Sequence, residues 1–246
     1  MPQDPSAALS SLLRGASIDD HDDVLKAANA AIKADKTDLL ARHTKVVALL
    51  MLDRFDDAAR FISESGDALA SKVQLEHAYA LYKAGNLDEA TAVLKTAGPK
   101  NHGFRHLAAQ VAYRAERFDE ADNIYEQLLE DGDEEEESDL KINLEAVHAQ
   151  SEWAGVASST QSPNVLPESF ELCYNIACFR IAKGHFESAT KLLQRAAALC
   201  KASDDLQDED KEAELRPIWV QQAYVYAKEG KTKEALDLYN SLGSTE

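Results

Sequence analysis

Six prolines and ten glycines in 246 residues are too few for a turn-rich β-sandwich or for a low-complexity chain. Three cysteines, Cys173, Cys178 and Cys200, exclude a disulfide framework. Cys173 and Cys178 share one predicted helix, roughly 140° apart around its axis, and cannot pair without unwinding it. They read as buried thiols in a reducing compartment. No apolar run approaches the roughly 20 residues that a membrane span needs. Residues Met1 to Ser10 lack the basic start and apolar centre of a signal peptide. The expected localisation is therefore cytoplasmic, without direct membrane binding. Positive charge is scarce as well: 26 Lys and Arg against 44 Asp and Glu leave a net charge of −18. Phosphate backbones repel such a chain, so this segment is not expected to bind nucleic acid by itself and should attract basic partners.

What the sequence has is alanine, leucine and charged helix formers, with 45% hydrophobic residues to fill a core. It also has a repeat. A turn residue is followed two positions on by an aromatic or leucine, then two polar residues, then alanine: Asp53-Arg-Phe55-Asp-Asp-Ala58, Gly85-Asn-Leu87-Asp-Glu-Ala90, Glu116-Arg-Phe118-Asp-Glu-Ala121, Gly184-His-Phe186-Glu-Ser-Ala189 and Gly230-Lys-Thr232-Lys-Glu-Ala235. Weaker copies end at Val24 and Val156. A period of about 34 residues with a small anchor is the tetratricopeptide signature, a helix–turn–helix unit. The expected fold is all-α: one right-handed α-solenoid of about seven such units over residues 1–246. Repeats of this kind build a binding scaffold rather than an active site.

Each unit should hold a first helix (A), a turn and a second helix (B). The pattern predicts Pro5 to Arg14 with Asp22 to Ala34, Leu40 to Leu52 with Asp56 to Glu64, and Lys72 to Lys83 followed by a helix carrying Ala90. It then predicts Phe104 to Ala115 with Asp119 to Glu130, and Leu140 to Gln150 followed by Trp153 in place of the turn aromatic. Phe170 to Ala182 pairs with Glu187 to Cys200, and Ile218 to Lys228 with Lys233 to Leu242. Acidic runs at 130–139 and 203–214 and a Ser/Pro stretch at 158–167 read as solvated loops between units.

Chemistry of small-molecule or metal sites finds little support. Asp131-Gly-Asp133 lacks the frame of a calcium loop. Asp19 to Asp23 read as helix-capping carboxylates. The seven histidines lack the paired spacing of a zinc protease, and no P-loop, dinucleotide fingerprint or nucleophile elbow occurs. No catalytic residue, metal, cofactor or small-molecule substrate is expected.

In a right-handed stack the A helices line the concave face. Tyr79, Gln110, Cys178 and Tyr224 are equivalent positions on it, and Tyr82, Tyr113 and Ile181 form a second row. The groove residues expected from this geometry are His43, Val47 and Leu50, then Leu75, Tyr79, Tyr82 and Lys83, then His106, Gln110, Tyr113 and Arg114. Lys141, Glu145 and His148 follow, then Tyr174, Asn175 and Cys178. Amphipathic rings can bury a peptide there, and an inward Asn175 could hold both a donor and an acceptor of its backbone.

Local sequence adds a resemblance. Thr44-Lys-Val-Val-Ala-Leu49, Tyr113-Arg-Ala-Glu-Arg-Phe-Asp-Glu120, Asn143-Leu-Glu-Ala-Val147, Gln150-Ser-Glu-Trp153 and Glu171-Leu-Cys-Tyr-Asn-Ile-Ala-Cys178 occur in this order. Together, from about Leu12 to Leu242, the chain resembles the N-terminal repeat domain of the 72-kDa subunit of the eukaryotic signal recognition particle. The resemblance implies a scaffold that binds the C-terminal region of the particle's 68-kDa subunit, in a heterodimer serving co-translational targeting to the endoplasmic reticulum. It also implies RNA contact only through a basic segment beyond the repeats, which is not expected within this chain. The competing expectation is a chaperone-adaptor repeat domain that grips an acidic C-terminal peptide. Lys83 and Arg114 are too isolated to favour it.

Overall fold

The computed structural model describes residues 20–99, 101–132, 136–156 and 167–243. Their regular structure is helical throughout, and the chain divides into two compact units, Met1–Ala115 and Glu116–Glu246. The first unit holds α1 (His21–Ala34), α2 (Leu39–Met51), α3 (Phe55–Glu64), α4 (Asp67–Ala70), α5 (Gln74–Lys83), α6 (Leu87–Ala97) and α7 (His102–Arg114). The second holds α8 (Phe118–Glu130), α9 (Glu137–Trp153), α10 (Phe170–Ala182), α11 (Phe186–Ala202), α12 (Asp208–Lys228) and α13 (Thr232–Gly243). The helix predicted near Pro5 to Arg14 lies outside the described residues, as do 133–135 of the first acidic run and 158–166 of the Ser/Pro stretch.

One backbone device makes the repeat. After each A helix from α2 onward the chain takes a single left-handed residue: Asp53, Gly85, Glu116, Gly155, Gly184 and Gly230. The residue after the turn then donates its N–H back to the helix end. Asn86 donates to the Leu81 carbonyl at 2.8 Å, His185 to Arg180 at 2.8 Å and Lys231 to Tyr226 at 2.9 Å. This satisfies carbonyls that the helix end would otherwise leave open and sends the chain back as an antiparallel neighbour. Helix B opens on carboxylates, as at Asp88 and Glu89 or Asp119 and Glu120, where the helix dipole favours them. The anchors Ala58, Ala90, Ala121 and Ala189 are all 0% exposed, so the small side chain is what lets the helices approach. Phe104, Leu107 and Leu81 join Ala90 in the core of the first unit. Leu193, Ile218 and Val225 join Ala189 in that of the second.

Several boundaries depart from the pattern. A short helix, α4, precedes the third repeat because Leu69 and Val73 are buried with Val46 and Ile62, and helix A therefore starts at Gln74, not Lys72. The acidic run at 130–139 is not all loop. Helix α9 begins at Glu137, with Glu137 and Asp139 in its first turn and Leu140 fully buried. The fifth turn falls at Gly155, after a helix that includes Trp153, and Val156 is an exposed loop residue rather than a packed anchor. The largest difference is α12, which starts at Asp208 rather than Ile218 and so takes up much of the run at 203–214. Asp208, Glu209 and Asp210 suit a first turn, and burial of Leu215 and Ile218 offsets the cost of Pro217 inside the helix.

Candidate protein-binding surface

In the first unit, Leu40, Val47 and Met51 lie on one stripe of α2, 50%, 42% and 55% exposed. His43, also on α2, does not stand free: its Nε2 is 2.9 Å from Glu76 Oε1 on α5, one repeat on. Leu50 and Leu75 are half-buried and pack on the core. Tyr79 on α5 is the exposed tyrosine. Its ring stands edge-on to Phe55, with centroids 6.1 Å apart. Lys83 holds its ammonium 5.3 Å over that same Phe55 ring. Tyr82 is half-buried against the core and is covered by Arg114 of α7, whose guanidinium lies 5.3 Å from the ring. Arg114 also donates to the Tyr82 carbonyl at 2.9 Å. On α7, His106 and Gln110 sit within hydrogen-bond distance, 3.3 Å, and Tyr113 is half-buried. The outcome is an exposed apolar stripe on α2, Leu40, Val47 and Met51, and an exposed Tyr79 that rests on a half-buried Phe55 capped by Lys83.

The second unit differs more from expectation. Glu145 and His148 on α9 are buried and turn toward α8, so they are core residues and not groove contacts. His148 Nε2 lies 2.7 Å from Asp122 Oδ1, and its Nδ1 lies 3.6 Å from Glu145 Oε1. Burial pulls the His148 pKa down, but the carboxylates of Glu145 and Asp122 outweigh it and the net displacement from 6.5 is upward. Lys141 is exposed and pairs with Glu137 one turn back on its own helix. Asn175 of α10 donates through Nδ2 to the Ile142 carbonyl of α9 at 2.9 Å. Half of the expected backbone clamp is thus spent fastening one helix to the next. Tyr174 is half-buried against the core. Cys178 is half-buried too, and burial pushes its thiol up to about 11, so it is a neutral packing group. Ile181, expected in a surface row, is buried.

No group of three or more metal-ligating side chains forms among the described residues. None of the described helices is long and apolar enough to cross a membrane. Residues 17–150 match the family model for the TPR-like repeat of SRP. The chain belongs to that TPR-like repeat family. It is similar to signal recognition particle subunit SRP72 of Canis lupus familiaris, 35% identical over 224 residues that cover 89% of this chain and 33% of the relative. The same values hold for the Homo sapiens protein of that name. The Caenorhabditis elegans protein of that name is 30% identical over 237 residues, 95% of this chain and 37% of the relative. The chain therefore spans about a third of the length of these curated relatives.

Within the TPR-like repeats, position relative to the left-handed turn residue decides what a side chain meets. Two residues before the turn stand Met51, Lys83, Arg114, Trp153 and Lys228, all exposed. Three before it stand Leu50, Tyr82, Tyr113, Glu152 and Ile181, half-buried or buried; the small Ala182 of the first row (half-buried) and Ala227 of the second (exposed) depart from this. Met51, Trp153 and Lys228 of the exposed row are not among the groove residues expected from sequence, and neither is Phe55, which stands two residues after its turn. Counting from the turn residue rather than from the anchor alanine would have brought Trp153 into register.

Proposed function

We propose that the chain is the protein-binding scaffold of a signal recognition particle subunit, and that it receives the C-terminal region of the 68-kDa subunit in the heterodimer used for co-translational targeting to the endoplasmic reticulum. The observation that carries this reading is the exposed apolar surface of Leu40, Val47, Met51 and Tyr79 in the first unit, with the half-buried Phe55 supporting Tyr79 edge-on. A peptide laid there buries apolar area on rigid helices, and aromatic anchors are where such binding energy concentrates. Similarity to SRP72 proteins supports the choice of particle. The role is that of a cytoplasmic scaffold rather than an enzyme. Contact with the particle RNA is left to a basic segment other than these acidic repeats, because a net charge of −18 disfavours phosphate.

The test is calorimetric titration of the chain with the C-terminal region of the 68-kDa subunit at two salt concentrations, with an acidic tail peptide as the competitor. Saturable 1:1 binding that the tail peptide does not displace supports the reading. Binding of the tail peptide alone overturns it in favour of a chaperone adaptor.

A further inference from the structure

Trp153 is the largest exposed apolar side chain among the described residues of the second unit, at 59%. It closes α9, yet its ring meets Tyr224 of α12, centroids 6.0 Å apart and planes at 65°. Helix α10 lies between these two A helices in the repeat order, and in the two rows concerned it presents only the small side chains Cys178 and Ala182. The indole therefore reaches past α10 with one edge on Tyr224 and leaves most of its surface to water. One ammonium group flanks the pair. Lys228 sits 5.2 Å over the Tyr224 ring. Lys183 lies 5.0 Å over Phe179 and 3.1 Å from Glu152. Glu229, next to Lys228, is taken by Lys231 at 2.8 Å. Lys228 thus has no carboxylate within ion-pair distance among the described residues, although its charge also suits the last turn of α12.

We propose that Trp153, Tyr224 and Lys228 form a docking point for a peptide segment that carries a bulky apolar side chain next to a carboxylate. The apolar side chain covers the exposed indole, where a flat ring gives large contact area at low entropic cost. The carboxylate reaches Lys228, a cation already held in place by the ring beneath it. This local charge is opposite to that of the chain as a whole, so the patch selects an acidic site within a partner that the rest of the surface would prefer basic. The inference rests on reading the A-helix surface as a peptide groove.

Tryptophan emission tests it. The probe is a short tryptophan-free peptide with phenylalanine beside two glutamates, and its control has lysines in place of the glutamates. The glutamate peptide should give a saturable blue shift, and the shift should vanish in Trp153→Phe, a change at an exposed site that leaves the fold intact. The lysine peptide should bind about fivefold more weakly, and Lys228→Glu should reverse that preference. Absence of a saturable shift, or equal or tighter binding of the lysine peptide, overturns the proposal. The 68-kDa region is titrated in parallel. If it binds while the peptides leave Trp153 emission unmoved, the docking point is wrong and the scaffold reading stands. If the glutamate peptide binds and the 68-kDa region does not, the patch stands and the named partner falls.

Discussion

Arg114 and Tyr82 are joined twice. The guanidinium donates to the Tyr82 carbonyl at 2.9 Å and lies 5.3 Å from the face of the Tyr82 ring. One side chain thereby fastens α7 to α5. Arg114→Ala should lower unfolding stability by about 1–2 kcal/mol. Arg114→Lys should recover only part of that, because an ammonium cannot both stack and present the same planar fork. Urea midpoints of the two variants check this, and equal stability of both with the parent would remove the clasp.

Tyr79 and Tyr82, three residues apart, should behave differently. Tyr79→Ala is expected to weaken binding of the 68-kDa region with little change in melting temperature, since Tyr79 is exposed. Tyr82→Ala should lower the melting temperature as well, because its ring packs on the core. Calorimetry and thermal melts on each variant separate the two roles.

Ala90 is 0% exposed where α6 meets α5. Ala90→Leu should overpack that contact and cost about 1–3 kcal/mol. A neutral result in chemical denaturation would mean that the anchor position of the third repeat is misassigned.

The buried His148 and Glu145, with the half-buried Asp122, make stability depend on pH. The folded pKa of His148 is raised above the ordinary 6.5, so its contribution is complete below about 6.5 and is lost as pH rises through the folded value. Urea midpoints of the parent should fall on the alkaline side of pH 6.5. The fall should be smaller in His148→Gln, which takes no proton. A parallel pH profile for both proteins would show that His148 does not hold the proton.

Asp53 takes the left-handed backbone conformation without being glycine, φ 54°. Strain of about 1–2 kcal/mol is relieved in Asp53→Gly, against about 0.5–1 kcal/mol of extra chain entropy in the unfolded state. The variant should be neutral to slightly more stable in a urea titration, and clear destabilisation would mean that the Asp53 side chain supports the turn.

Asp53 and Glu116 also show how the fold could be read from sequence. The pattern of turn, apolar residue and alanine locates the hairpin even where the turn residue is unsuited to its backbone angle, because packing of Ala58 and Ala121 dictates the geometry. Glu145 and His148 show where such reading stops. Their spacing puts both on one face of α9, but nothing local says whether that face meets α8 or solvent. Only Asp122, on a different helix, settles it. The first ten residues of α12, ahead of the predicted start at Ile218, were hidden for another reason: a proline and a dense run of carboxylates both suggest a loop, and Leu215 is the one buried residue among them.

The ties between A helices have one further consequence. His43 to Glu76, Arg114 to Tyr82 and Asn175 to Ile142 join residues 33, 32 and 33 apart. Each reaches only the next hairpin along. Load applied to one end of a unit would meet these ties one after another, never all together, so it would open like a zip, one hairpin per step. The extension at each step would reflect the length of a single repeat.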